Sequence, residues 1–188
     1  MHKLIITAHP SSKGFTHQIA QMYSQVSVES GHTVEILDLY RAPRQDFLEF
    51  EDGHEERQDQ LELVRQNQSK ISKADELIFV HPLWWGGAPA ILKNWIDVNL
   101  TSGFAFTHKD GKHIKLLSGK TARVFITCDA PAFIYTLMAN PFKSIWSMIT
   151  LDFVGIKCLS IDVLGNKRKQ STEKRAKFLA KVAKIAKY

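Results

Sequence analysis

Apolar residues along the chain recur with two alternating periods. Short apolar runs predict buried strands, and stretches with apolar residues three or four positions apart predict helices. The predicted strands are residues 4–8, 34–39, 76–81, 122–127 and 157–164. The predicted helices are residues 15–26, 61–71, 89–98 and 142–153, followed by a long terminal helix that Ser171 caps. Gly31 stands where the first helix should end.

The alternation of strands and helices predicts an α/β fold, a parallel sheet covered by helices on both faces. Right-handed crossovers make 2-1-3-4-5 the natural strand order, with the winding reversing between strands one and three. Residues 41–53 read as an acidic loop. The chain shows no internal repeat, low-complexity stretch or linker, so we expect a single domain over residues 1–188.

Composition narrows the class of protein. Of the 188 residues, 44% are hydrophobic, which is ordinary for a globular protein, and no apolar window is long enough to span a membrane. The first residues read as a strand and not as a signal peptide, so we expect a cytoplasmic location. Cys128 and Cys158 are too few for a disulfide scaffold and lack metal-ligand spacing, so we expect reduced thiols.

Charge is distributed unevenly around a net value of +6. Acidic residues dominate residues 46–62 and basic residues dominate residues 167–187. A basic terminal helix could meet nucleic acid or anionic lipid, but it lacks the interleaved aromatic residues of a single-strand binder. We expect a solvated face, no nucleic-acid partner and no membrane insertion. The positive field would also favour a phosphorylated cofactor.

Unusual residues follow strands one, three and four, whose carboxyl ends flank the point where the winding reverses. Open parallel sheets bind their ligands there. After strand one, His9, Ser11 and Thr16 precede a helix whose free N–H groups favour a phosphate. Serine and threonine before a helix also serve simply as caps, so both interpretations stay open at this loop.

The loop after strand three contains two adjacent tryptophans, Trp84 and Trp85, which cannot both enter one side of a core. In a loop they offer flat walls and indole donors to an aromatic ligand, and Gly86 permits a close approach of the backbone. The alternative is a loop that only packs against the helices. After strand four, Asp129 is either a general acid or base or the cap of a turn before Pro131. The sequence contains no serine elbow, Walker loop or metal cluster, and we expect no metal.

A long motif begins at the end of strand three, where residues 81–97 read HPLWWGGAPAILKNWID. This stretch resembles the P-L-x-W-x-x-x-P-A-x-L-K-x-W-x-D signature of the NAD(P)H:quinone oxidoreductase family of flavodoxin-like flavoproteins. That family includes quinone reductases, modulators of drug activity and potassium-efflux ancillary subunits. Further matches are His9-Pro10 followed by Phe15, the GFAF of residues 103–106, and the LSGK of residues 117–120. The resemblance covers roughly residues 3–165 and implies a flavodoxin-like three-layer fold.

The resemblance implies a flavin site built by three loops. Residues implied to hold the phosphate or ribityl chain are His9, Phe15 and Thr16. Residues implied to line the isoalloxazine are Pro82, Leu83, Trp84 and Trp85. Ser11, as a hydroxyl donor, and Gly86, as a point of close backbone approach, complete the expected cofactor contacts. Residues implied to approach the pyrimidine end are Thr127, Cys128 and Asp129, with Tyr135 near the flavin O2 as the candidate catalytic residue.

Three departures from the family pattern change the expected site. Gly14 stands where the family usually has serine, so one phosphate hydroxyl is absent. The loop of residues 127–131 lacks the glycine pair of the mammalian-type enzymes. Pro141 stands where some members place a histidine, so a tyrosine–histidine proton relay is not expected, and Tyr135 or backbone donors would stabilise the reduced flavin.

The resemblance implies hydride transfer from NAD(P)H through a bound flavin to a quinone or similar aromatic acceptor, in a homodimer with the site at the interface. FMN is expected ahead of FAD because little chain follows strand five. The alternative is a function other than catalysis, a flavin-binding regulatory subunit of a membrane transport protein. The basic terminal helix could then dock on the transport protein. A one-electron flavodoxin is disfavoured, since those proteins are typically acidic and carry a serine- or threonine-rich, glycine-rich phosphate loop.

Overall fold

Five parallel strands form the central sheet of the protein, and the computed structural model describes residues 1–48, 58–131, 134 and 141–188. In chain order the strands of the sheet are β1 (His2–Thr7), β2 (Thr33–Asp38), β3 (Glu76–Pro82), β6 (Thr121–Thr127) and β7 (Lys157–Leu164). Their spatial order, β2-β1-β3-β6-β7, confirms the predicted 2-1-3-4-5 arrangement. Ile5 of β1 lies between Ile36 of β2 and Ile78 of β3.

The apolar pattern did not predict a two-stranded antiparallel hairpin. Along the chain, this hairpin lies between the third and fourth strands of the central sheet. Its strands are β4 (Phe106–Lys109) and β5 (Lys112–Lys115). Asp110 and Gly111 connect them with φ values of 53° and 71°, the left-handed pair that a two-residue hairpin turn requires.

Helices cover both faces of the sheet. They are α1 (Phe15–Glu29), α2 (Gln58–Lys73), α3 (Ala90–Asn99), the short α4 (Pro141–Ser144) and α5 (Thr172–Ala186). The segment that follows α4, Ile145–Asp152, is π-helical and not the α-helix expected over residues 142–153. Among the described residues no helix is long and apolar enough to cross a membrane.

Alternating residues of each strand feed two separate apolar layers. On one face Leu4 and Phe79 pack with Trp95 of α3 and Trp146 of the π-helical segment. On the other face the buried residues come mainly from α1 and α5. That layer contains Ile5, Phe15, Ile19, Tyr23, Ile78, Phe125 and Val182. Because strands buried on both faces carry apolar residues at successive positions, they read as continuous apolar runs in the sequence.

Local chemistry fixes where the helices end. Gly31, with φ of 84°, follows α1 as predicted, and the Ser171 hydroxyl accepts the Lys174 N–H at 3.3 Å, which confirms the predicted cap of α5. Gly155, with φ of 93°, ends the helical turn of residues 153–154 that follows the π-helical segment. There the Ile156 N–H reaches back to the Leu151 carbonyl at 2.9 Å, an arrangement that satisfies an otherwise free helix-terminal carbonyl.

A buried charged cluster lies at the opposite edge of the sheet from the three loops. Lys3 is fully buried, with its Nζ 3.6 Å from Glu76 and 2.9 Å from the carbonyl of Ala186. Glu76 also accepts bonds from Arg123 and Tyr23, each at 2.8 Å. Burial lowers the pKa of Lys3. The cluster therefore ties β1, β3 and β6 to the end of α5.

Candidate functional site

The loop between β1 and α1 forms an open anion cradle. α1 begins after Gly14, which gives the helix no side-chain cap, so the N–H groups of Phe15 and Thr16 stay available to a ligand, whereas that of His17 bonds to the Gly14 carbonyl at 3.0 Å. A Cβ built on Gly14 would lie 3.2 Å from Cε1 of His9, which shows that the imidazole lies directly over this helix end. A side chain in place of Gly14, such as the family serine, would therefore press on the imidazole of His9.

His9 is held in place by the loop around it. Both backbone groups of Ser11 contact Nδ1 of His9, the N–H at 3.0 Å and the carbonyl oxygen at 3.1 Å. Burial lowers the pKa of His9, and the positive charge of Lys167 acts in the same direction, while the hydrogen bond to Ser11 opposes them. The Ser11 contacts fix Nδ1 in the loop and leave Nε2 as the ring nitrogen that can meet a ligand.

Two cations near this loop were not predicted as site residues. The guanidinium of Arg41 donates to the carbonyls of His9, at 3.2 Å, and Pro10, at 2.6 Å. Lys167 follows β7, and its charge is close enough to lower the pKa of His9. In the sequence, Lys167 is part of the basic run that we interpreted as a solvated face. Arg41 begins the loop of residues 41–53, which we described only as acidic. The local sequence gave no signal for either residue.

The two tryptophans lie in a tight turn at the end of β3. Trp84 and Gly87 exchange two backbone hydrogen bonds of 3.0 and 2.9 Å, and the central residues Trp85 and Gly86 have φ values of 52° and 77°. Trp84 is 42% exposed and Trp85 is completely exposed. The turn therefore presents indole surface to solvent, and the alternative of a loop that only packs against the helices is wrong for Trp85.

Buried contacts join the three loops beneath this surface. The hydroxyls of Thr16 and Thr127 lie 3.2 Å apart, and neither residue is exposed. The N–H of Leu83 donates to the carbonyl of Thr127 at 2.8 Å. Pro82 and Leu83 are both buried. The buried floor that positions the loops is thus formed by Thr16, Pro82, Leu83 and Thr127. The side chains of these residues are not exposed on the surface of the crevice.

Three predicted side chains point elsewhere. The ring of Phe15 packs against Phe178 of α5 at 6.2 Å, so only the backbone of Phe15 faces the cradle. The buried thiol of Cys128 lies 3.3 Å from the carbonyl of Ala130, and burial raises its pKa. Ser11 is exposed and accepts the N–H of Lys13 at 3.3 Å.

Asp129 is exposed and pairs with Arg168 at 3.0 Å, which joins the loop after β6 to the loop after β7. This ion pair differs from both roles considered for Asp129, an acid or base and a turn cap. Tyr135, the candidate catalytic residue, lies outside the described residues, as does Phe133.

His81 is the buried titratable group below the tryptophan turn. Its ring lies 5.3 Å from that of Trp146, and Nδ1 contacts the carbonyl of Pro82 at 2.8 Å. Nε2 has no hydrogen-bond partner within the part of the chain that the structure describes. Burial lowers the pKa of His81 to about 4, so the imidazole is neutral over the physiological range.

A cavity of about 610 Å³ lies apart from these loops, between α2, α3 and the segment after β2. Leu39, Leu63, Ile91 and Trp95 are among its apolar lining residues. None of the predicted site residues lines it, so we place the functional site at the loop crevice, where the donors and exposed aromatic surface converge.

The crevice fits a phosphorylated, flat aromatic cofactor such as a flavin. The uncapped α1 end and the Nε2 of His9 suit a phosphate, and the exposed indoles suit a planar ring system. No group of three or more metal-ligating His, Cys, Asp or Glu side chains occurs among the described residues.

Comparison with known proteins agrees with this arrangement. The model of a family described as a flavodoxin-like fold matches residues 1–186. The chain belongs to this family. The sheet order and the helices on both faces are those predicted for a flavodoxin-like protein.

Similar proteins carry oxidoreductase names. An uncharacterized NAD(P)H oxidoreductase of Haemophilus influenzae is 39% identical over 133 residues, which are 68% of this chain and 64% of that protein, just under two thirds of its length. The mouse ribosyldihydronicotinamide dehydrogenase [quinone] is 29% identical over 94% of this chain and 87% of its own. A solved NAD(P)H:quinone oxidoreductase from Methanothermobacter marburgensis superposes with a TM-score of 0.79 at 26% identity, covering 100% of this chain and 96% of that one.

Proposed function

We propose that the chain is a flavin-dependent NAD(P)H:quinone oxidoreductase. In the overall reaction NAD(P)H, a proton and a quinone give NAD(P)⁺ and a hydroquinone, with two electrons transferred as hydride. The observation that carries the proposal is the convergence, at one crevice, of an uncapped helix end and a turn that exposes Trp85 completely and Trp84 partly. The relatives named above support the same class of reaction.

The chain's own residues would bind and orient the reactants. The first turn of α1 and Nε2 of His9 hold the phosphate, while Trp84 and Trp85 form an aromatic wall for the ring system. The flavin, when bound, supplies the two-electron redox chemistry between nicotinamide and quinone. Because the tryptophan turn opens to solvent, NAD(P)H and the quinone can occupy the same open face in turn.

Of the two flavins we propose FMN. Its terminal phosphate carries close to two negative charges, and it would lie at a helix end with Arg41 and Lys167 nearby. Tyr135 keeps its proposed place near the flavin O2. The neutral His81 below the turn is buried, so it would shape the floor of the site and not exchange protons with solvent.

We also propose a homodimer. Ile145, Met148 and Ile149 recur on one side of the π-helical segment and are 46%, 67% and 66% exposed. With the neighbouring Phe153, 41% exposed, they form an apolar surface that a second copy would cover. Both cysteines are free thiols, which fits a proposed site of action in the reducing cytoplasm. The three similar proteins described above carry oxidoreductase or dehydrogenase names and favour the reductase, so we do not propose the regulatory subunit.

An anaerobic absorbance spectrum of the purified protein tests the function directly. We expect an oxidised-flavin spectrum that bleaches with NAD(P)H and returns when a quinone is added. Chromatography of the released cofactor then identifies FMN or FAD, and light scattering gives the oligomeric state. A protein that binds no flavin after reconstitution with both cofactors would overturn the proposal, as would a bound flavin that NADH and NADPH leave oxidised.

A further inference from the structure

Arg41 bridges the end of β2 and the loop that leads into α1. Its Nη1 donates to the carbonyl of His9 at 3.2 Å, and its Nη2 donates to the carbonyl of Pro10 at 2.6 Å. A planar guanidinium holds two acceptors at once with fixed geometry, which a lysine ammonium does not. The two consecutive carbonyls are thereby turned toward Arg41 and away from the crevice.

Arg41 is itself held in place. Asp38, the last residue of β2, lies 3.1 Å from Nη1 of Arg41 and 2.8 Å from Nε2 of His17 in α1. The second carboxylate oxygen of Asp38 accepts the N–H of Tyr40 at 3.1 Å. The guanidinium is therefore oriented by a carboxylate that is fixed from three directions.

The peptide group between Pro10 and Ser11 links Arg41 to His9. In a trans peptide the carbonyl and the following N–H point in opposite directions. When the Pro10 carbonyl faces Arg41, the Ser11 N–H faces the other way, and it lies 3.0 Å from Nδ1 of His9. The Ser11 carbonyl oxygen lies 3.1 Å from the same Nδ1, so this one residue fixes the position of the imidazole.

We infer that Arg41 is a positioning residue that makes the cradle selective for a phosphate-bearing flavin over the unphosphorylated one. It acts through the Pro10–Ser11 peptide, which holds Nδ1 of His9 and so places the imidazole beside the phosphate. The inference rests on the proposed function, because it takes the flavin phosphate to bind at the α1 end. The isoalloxazine contacts at Trp84 and Trp85 do not involve Arg41, so riboflavin binding does not depend on it.

The test compares FMN and riboflavin affinities in the wild type, Arg41→Gln, Arg41→Lys and Arg44→Gln. Arg44 is also an exposed arginine of the same segment and has no carboxylate partner among the described residues, so it controls for net charge. We expect Arg41→Gln to weaken FMN binding about tenfold or more, the size typical of a lost hydrogen bond to a charged group. Riboflavin affinity should stay within about twofold, Arg44→Gln should change neither affinity, and Arg41→Lys should recover only part of the loss.

A second readout is the His9 tautomer in the flavin-free protein, from ¹⁵N chemical shifts of the imidazole. We expect a single tautomer in the wild type, where Ser11 holds Nδ1, and a mixture of tautomers in Arg41→Gln. If the wild type binds FMN and Arg41→Gln binds it equally well, or loses riboflavin to the same extent, this inference is overturned while the proposed function stands. If the wild type binds neither flavin, the proposed function fails and this inference fails with it.

Discussion

The hydroxyl groups of Thr16 and Thr127 lie 3.2 Å apart in the interior of the protein. Thr16 is in the first turn of α1, and Thr127 is the last residue of β6, so this contact joins the proposed phosphate end of the site to its proposed pyrimidine end. Both residues are fully buried. A buried hydroxyl without a partner loses stability, so each threonine depends on the other.

Replacing Thr127 by valine should therefore lower the free energy of unfolding by about 1–2 kcal/mol, because the Thr16 hydroxyl stays buried without its partner. Thr121→Val on the same strand is the control. The Thr121 hydroxyl makes only a 3.4 Å contact to the Asp75 carbonyl at a partly exposed position, and its loss should cost less than about 0.5 kcal/mol. Urea denaturation measures both, and equal losses would contradict a special role for the threonine pair.

Gly14 offers a direct test of the anion cradle. Gly14→Asp introduces a good helix cap, but its Cβ would press on the His9 ring, so the free energy of unfolding should change by less than about 1 kcal/mol. Its carboxylate would occupy the α1 end, and FMN affinity should fall at least about tenfold through charge repulsion and lost donors. Gly14→Ser presses on His9 in the same way but adds no charge, so its FMN affinity should fall less than that of Gly14→Asp. Calorimetric titration measures both, and tight FMN binding by Gly14→Asp would place the phosphate elsewhere.

Trp85 combines an unfavourable backbone conformation with complete exposure. A side chain at φ of 52° costs about 1 kcal/mol, and asparagine tolerates this conformation better than tryptophan does. Trp85→Asn should thus stabilise the protein by about 1 kcal/mol while weakening flavin binding and NAD(P)H oxidation. Trp84→Asn, at an ordinary φ, should weaken binding with no gain in stability. Thermal unfolding and flavin titration check the pair, and unchanged stability in Trp85→Asn would show that the turn is not strained.

The lowered pKa of the buried His81 should make the free energy of unfolding depend on pH. Its folded pKa of about 4 lies below the usual 6.5, so between those values the unfolded chain takes up a proton that the folded protein does not. The contribution of His81 is fully present above about pH 6.5, declines as the pH falls, and levels off below about pH 4. The loss amounts to about 3 kcal/mol, since one pKa unit corresponds to about 1.4 kcal/mol.

The measurement for His81 is the free energy of unfolding from pH 7 to pH 4 in the wild type and in His81→Phe. Phenylalanine preserves an aromatic contact with Trp146 and cannot titrate, so the decline toward low pH should become shallower. His108→Gln, which removes an exposed imidazole, is the control and should keep the wild-type slope. A His81→Phe curve parallel to that of the wild type would mean that His81 does not control acid stability.

Gly119 and Gly155 have the same φ of 93°, so comparing substitutions at the two positions distinguishes the cost of backbone strain from the cost of steric overlap. A Cβ on Gly155 would lie 2.6 Å from the Ser118 hydroxyl, whereas one on Gly119 would meet nothing within 4 Å. We expect Gly119→Ala to cost about 1 kcal/mol from strain alone and Gly155→Ala about 3 kcal/mol from strain and overlap. Urea titrations of both variants give the comparison, and equal costs would show that the neighbours of Gly155 move aside freely.

The sheet was predictable because buried parallel strands leave a local signature in the sequence. Residues 76–81 are continuously apolar apart from their ends, and β3 (Glu76–Pro82) differs from the prediction by one residue. The β4–β5 hairpin was missed because it is polar and largely exposed, so no apolar period marks it. Its Asp110-Gly111 pair was the available signal, since this dipeptide favours the turn that the hairpin uses.

The positions of the site loops were predictable, but the directions of their side chains were not. Chain topology brings the ends of β1, β3 and β6 together whatever their residues. Whether Phe15 faces the crevice or the core depends on Phe178, which is 163 positions away in the sequence. Arg41 acts through two backbone carbonyls, and no residue pattern reports which carbonyls a distant guanidinium will reach.

The buried Lys3 has a consequence for how the protein is made. Its ammonium contacts the carbonyl of Ala186, 183 positions later in the chain, and this contact cannot form until residue 186 has left the ribosome. β1 is the first strand of the sheet to emerge, but its Lys3 ammonium lacks the Ala186 acceptor until that point. The α1 face of the sheet would therefore remain open until α5 has been synthesised, and α5 would close it only after all five strands of the sheet have emerged.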